Sequence, residues 1–149
     1  MWRKWGTLST YAEELSIEDR ETYAKKLTLN NETLLPDPLN INDNKWSSDI
    51  TFLPDLSWPD IVNYVINTPS EFTKDKIKAY KSLEAYNFFV NGHVQDVFIH
   101  KLEKFQFSFL KTKVLPSQRQ GQKQVLYESW VAMHRTGWIL CANCSCTSG

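Results

Sequence analysis

The three cysteines of this 149-residue chain, Cys141, Cys144 and Cys146, crowd into its last stretch, CANCSCTSG. Side chains on an extended strand alternate between faces, so residues two apart point the same way. Cys144 and Cys146 are therefore spaced to grip one ion together. A tetrahedral zinc site takes about four nitrogen or sulfur ligands, so the pair reads as half of a metal site, with Zn2+ as the ion. Cys141 has the opposite parity, which suits a small buried residue better than a third ligand. The competing reading is a pair of reduced thiols near a frayed terminus. Of the histidines, His93, His100 and His134, surface or capping roles are the default. His134 is the best placed as a ligand if the local hairpin puts it on the cysteine face.

The other chemistries have little to stand on. The chain has no Gly-rich phosphate loop, Gly-x-Ser-x-Gly elbow or His-Glu-x-x-His helix. Its cysteines lack the helix-terminus setting that makes a thiol nucleophilic. The acidic pairs Glu13-Glu14 and Glu18-Asp19 belong to a polar N-terminal helix, and the C-terminal third holds few acids that could converge on metals. A non-catalytic protein is expected, with no catalytic residue assigned.

The elements that must hold the cysteines follow from local patterns. The expected fold class is α+β: a helical pair packed on a small antiparallel sheet that ends in an incomplete zinc-binding hairpin. Residues 1–56 read as an N-terminal helix over 17–27, with Ser16 as N-cap and Asp19 three residues on. A polar, irregular arm follows, in which Pro36 and Pro38 forbid regular helix; its Leu34, Leu35, Ile41, Trp46 and Phe52 are candidates to dock on a core. Residues 57–128 read as the main α+β domain. Ser57 caps a helix over 58–66 with Asp60 in its first turn and Ile61, Val62, Val65 and Ile66 as a buried stripe. A second helix over about 73–90 ends at Asn91-Gly92. A helix-turn-helix DNA reader is disfavoured because the longer helix is too aromatic for a groove.

Phe105, Phe107 and Phe109 alternate with polar residues as a half-buried strand does, and 111–124 reads as a basic loop. Residues 129–149 complete the chain. Tyr127 to His134 and Trp138 to Cys144 form a hairpin around Arg135-Thr136-Gly137, where glycine supplies a positive φ. With His134 opposite Trp138, the side chains of Trp130, Ala132, Leu140, Ala142, Cys144 and Cys146 share one face and Cys141 points away.

Composition narrows the partners. Seventeen Lys and Arg balance seventeen Asp and Glu, so no global field draws the chain to nucleic acid. The charge is uneven: residues 13–60 hold eleven acids and four bases, and 101–124 hold six bases and one acid. Lys101, Lys104, Lys111, Lys113, Arg119 and Lys123 would make phosphate contacts if they cluster; lysines guarding a strand edge are the plainer reading. No apolar run reaches the ~18 residues of a membrane span, and the N-terminus lacks a signal-peptide core. Odd, crowded cysteines are not a secreted disulfide framework. An intracellular protein, nuclear or cytoplasmic, is expected. The glycosylation patterns at Asn31 and Asn143 are chance matches on that view.

The segments Ser129-Trp130-Val131 and Gly137-Trp138-Ile139-Leu140, followed by CANCSC, resemble the entrance to a SWIM-type zinc finger, whose pattern is Cys-x-Cys, a spacer, then Cys-x-His. Cys144 and Cys146 match the first pair; the second would lie beyond Gly149. The stretches Tyr80–Tyr86 and Val94–Val97 resemble the region preceding this finger in animal proteins, some of which continue into a YqaJ-like recombinase or exonuclease domain. The likeness covers about residues 58–149. It implies zinc bound by Cys144 and Cys146, in a module that contacts DNA or protein. The alternatives are a non-catalytic accessory fragment of a recombination-type nuclease and a truncated product without independent activity. The residues leave the nucleic-acid type and the oligomeric state open.

Overall fold

The computed structural model describes residues 8–30, 33–67, 87, 89–116 and 126–146. The chain divides into two units, Met1–Ser47 and Ser48–Gly149. The class is α+β, with short helices and two antiparallel sheets among the described residues, one two-stranded and one four-stranded.

The first unit starts with α1 (Thr10–Glu14), capped by the Ser9 hydroxyl, and continues into α2 (Ile17–Lys26). Ser16 caps α2 as its sequence foretells: its Oγ accepts from the Asp19 amide at 3.1 Å and donates to the Asp19 carboxylate at 2.7 Å. Arg20 folds back on α1, its guanidinium donating to the carbonyls of Ala12, Glu13 and Leu15 at the C-terminal end of that helix. A short hairpin, β1 (Thr28–Leu29) with β2 (Thr33–Leu34), follows.

The proline-rich arm is more ordered than its composition suggests. Asp37 is buried and accepts from the Ser9 amide at 2.8 Å, the Tyr23 hydroxyl at 2.7 Å and the Leu39 amide at 3.0 Å. One carboxylate thus ties α1, α2 and the 3-10 turn at Pro38–Asn40, over a core of Ala12, Tyr23, Ala24, Leu27 and Leu35.

The second unit is built on a four-stranded antiparallel meander in the order β3-β4-β5-β6. Its strands are β3 (Phe98–Leu102), β4 (Phe107–Val114), β5 (Tyr127–His134) and β6 (Ile139–Cys144). Phe105 is not in a strand, contrary to its alternation with Phe107 and Phe109. It ends a 3-10 turn at Glu103–Phe105, and Gln106 then takes a left-handed φ of 60° that resets the chain direction before β4. Lys111 to Val114 extend β4 rather than opening a loop, because Val94 bridges Val114 and the Gln95 amide donates to the Lys113 carbonyl at 2.9 Å. Residues 117–124 of the expected loop lie outside the described residues.

The sheet is covered on both sides at its centre. Phe107, Ser108 and Phe109 are buried in succession, and adjacent residues face opposite ways. Phe109 packs edge-on to Trp130 at 5.9 Å between centroids.

The helix α3 (Trp58–Asn67) forms where expected, with the Ser57 hydroxyl and amide both donating to Asp60, and it lies against β6. Of the expected helix over 73–90, Asn87, Phe89 and Val90 are helical and Gly92 has a φ of 73°, the left-handed stop; the rest lies outside the described residues.

Candidate functional site

The cysteine-bearing hairpin forms as β5 and β6. Its turn closes with the His134 amide donating to the Trp138 carbonyl at 2.9 Å and the Gly137 amide to the His134 carbonyl at 2.9 Å. Gly137 has a φ of 103°, and a Cβ there would sit 2.1 Å from the Asp55 carbonyl oxygen and 2.9 Å from an Asp60 carboxylate oxygen. Glycine is needed twice over, for the backbone angle and for close approach to the segment leading into α3.

The face assignment differs from the sequence expectation. Met133 pairs with Ile139, but Ala132 pairs with Cys141, Trp130 with Asn143 and Ser129 with Cys144. Leu140 is thus an extra residue on β6, a bulge, and every side chain beyond it changes face. Cys141 joins Trp130 and Ala132 on the buried face and is 7% exposed, so it is the small packed residue that its parity suggested, on the side it was not expected to occupy. Ala142 and Cys144 fall on the opposite face with Val131 and Ser129. Asn143 is buried beside Trp130 in β6, where no glycan fits.

Beyond the bulge the backbone links Cys144 and Cys146. The Ser145 amide donates to the Glu128 carbonyl and its hydroxyl accepts from the Glu128 amide, each at 2.9 Å, which carries the pairing one residue past β6. The chain then bends, and the Cys146 amide donates to Cys144 Sγ at 3.4 Å. Both thiols are half-buried and neither is in a disulfide. A backbone donor aimed at a sulfur fixes that sulfur's orientation, the role second-shell donors play at metal sites.

The histidines are elsewhere. His134 shares the face of Ala132 and Cys141, not that of Cys144, because of the bulge. Its ring stacks on Trp138 at 5.1 Å and 18°, Phe107 meets both rings edge-on at 5.2 Å, and its Nδ1 lies 2.8 Å from the Thr136 hydroxyl. Nδ1 of His93 is 3.3 Å from the Leu115 carbonyl, and His100 sits in β3 opposite Phe109. Among the described residues no three His, Cys, Asp or Glu side chains gather as a metal-holding group. Two sulfurs fit a zinc ion's preference for soft donors but fill about half of its shell.

The basic residues divide between surfaces. Lys101 pairs with Ser108 and so shares its face, whereas Lys111 and Lys113 lie on the other face, with Lys113 opposite Glu128. Lys104 is in the turn before β4, and Arg119 and Lys123 lie outside the described residues. Sequence reasoning missed the place where cations do converge: Lys101 and Arg135 line one cleft with Phe52. Charge counting along the chain carries no signal for it, since Arg135 is a turn residue more than thirty positions from Lys101.

Among the described residues no helix is long and apolar enough to cross a membrane. No family model, curated protein or solved structure matches this chain.

Proposed function

We propose that the β5–β6 hairpin is the first half of a SWIM-type zinc-binding module, with Cys144 and Cys146 as its sulfur ligands. The observation that carries this reading is the Cys146 amide directed at Cys144 Sγ at 3.4 Å, immediately after a hairpin stiffened by the Ser145–Glu128 pairing. Zinc supplies a structural cross-link there, between the two thiolates that follow the sheet and the further ligands of the site. The remaining ligands come from outside the described residues. The domain is intracellular, nuclear or cytoplasmic, and non-catalytic. Its partner is nucleic acid ahead of protein, supported by the meeting of Lys101 and Arg135 at one cleft. A second reading, an accessory protein-binding domain of a recombination-type nuclease, draws on the exposed apolar run Ile50, Phe52, Leu53 and Leu56.

The test is calorimetric titration of the reduced chain with zinc. Saturable uptake that disappears in C144S and in C146S but survives in C141S is expected. Equal uptake by the C144S/C146S double variant, or none by the unaltered chain, would overturn the assignment.

A further inference from the structure

The cleft of the second unit combines groups that the hairpin does not use. It has a volume of about 380 Å³ and is walled by residues 51–55 on one side and by the ends of β3, β4 and β5 on the other. That volume falls within the roughly 300–1,000 Å³ of small-molecule sites. Lys101 reaches it from β3, and its ammonium lies 4.6 Å from the centre of the Phe52 ring. Arg135 reaches it from the turn after β5, and its backbone amide is fixed to the Gln106 carbonyl at 2.9 Å. Two cationic residues at neighbouring strand ends thus line one cleft with an aromatic ring that is 40% exposed. Asp55 and Glu103 also line the cleft, so its walls carry both signs of charge.

We propose that this cleft seats one nucleotide of a single-stranded nucleic acid. The phosphate lies between Lys101 and Arg135, and the base replaces the Lys101 ammonium over the Phe52 ring as Lys101 turns to the phosphate. Cations beside exposed aromatic rings are the general means of holding unpaired strands. A base inside a duplex has no free face to stack, so double-stranded DNA is a poor occupant. The acids have a use on this arrangement, since carboxylates accept from the exocyclic amino groups of cytosine and adenine, which thymine lacks. A surface carrying only lysines would offer no such choice. The inference deepens the nucleic-acid part of the proposed function and does not depend on zinc.

The experiment is fluorescence anisotropy of the full chain with labelled oligo-dC, oligo-dT and a duplex of equal length, at low salt. Zinc content is measured on the same sample, so a failure of the metal reading is seen separately. Tighter binding of oligo-dC than of oligo-dT or duplex is expected, weakened roughly tenfold or more by F52A and by the K101E/R135E pair. Lys101 and Arg135 are exposed, and thermal melting checks that the variants fold. Affinity unchanged in both variants, preference for oligo-dT, or equal binding of duplex would overturn the proposal. So would absence of binding to any of the three, which would leave the cleft to a peptide.

Discussion

Replacing Gly137 by alanine probes the joint that holds the cysteine hairpin against the start of α3. At its φ of 103° an L-residue is strained whatever the space, at about 1–2 kcal/mol. The added methyl also meets backbone, not a yielding side chain: 2.1 Å to the Asp55 oxygen and 3.0 Å to its carbonyl carbon. Overpacking of that kind costs about 1–3 kcal/mol, so G137A should lose about 3 kcal/mol in total. Gly92 is the internal control, since it has a φ of 73° but nothing within 4 Å of a built Cβ. G92A should therefore lose only the backbone part, about 1 kcal/mol. For a unit the size of Ser48–Gly149 the melting temperature falls about 4 °C per kcal/mol. Thermal unfolding by circular dichroism should place G137A well below G92A, and urea midpoints should agree. A G137A variant no less stable than G92A would refute the close approach of the hairpin turn to Asp55.

Other outcomes follow from single contacts. D37A leaves the Ser9 amide, the Tyr23 hydroxyl and the Leu39 amide without their shared acceptor; a loss of about 3 kcal/mol is expected, read as faster amide exchange across α1 and α2 relative to the second unit. S16A removes the α2 cap and should cost about 1 kcal/mol in a chemical melt, and a neutral result would contradict the capping geometry. Asp60 is held below its usual 3.8 by the Ser57 hydroxyl and then the Ser57 amide, and Asp49 by the Thr51 amide and then its hydroxyl. A lowered carboxyl stabilises the fold above its unfolded pKa and loses that contribution as pH falls through the lower folded value. The stability gap between the unaltered chain and D60N should therefore stay constant from neutral pH down to about 5 and close below about 4; a gap that widens on acidification would contradict the sign.

What the sequence made legible was local chemistry. Ser16 with Asp19, Ser57 with Asp60, and the glycines at 92 and 137 each declare a cap or turn within a few residues, and each forms as read. The hairpin pairing at His134 and Trp138 was legible for the same reason. The bulge at Leu140 was not, because no turn residue marks it and one extra residue inverts the face of everything after it. That inversion put His134 and Cys144 on opposite faces, whereas the contact of the Cys146 amide with Cys144 Sγ depends only on local geometry. Phe105 misled for a related reason: alternation predicts a strand, but the positive φ of Gln106 breaks it. Asp37 was hidden because its partners lie 28 and 14 residues away. A polar, proline-bearing arm looks unstructured until one buried carboxylate organises it.

The central claim concerns the two sulfurs that follow β6, and X-ray absorption at the zinc edge of the zinc-loaded, reduced chain tests it most directly. The account predicts two sulfur neighbours at about 2.3 Å, both lost in the C144S/C146S variant and both retained in C141S. A shell of oxygen and nitrogen alone would contradict it.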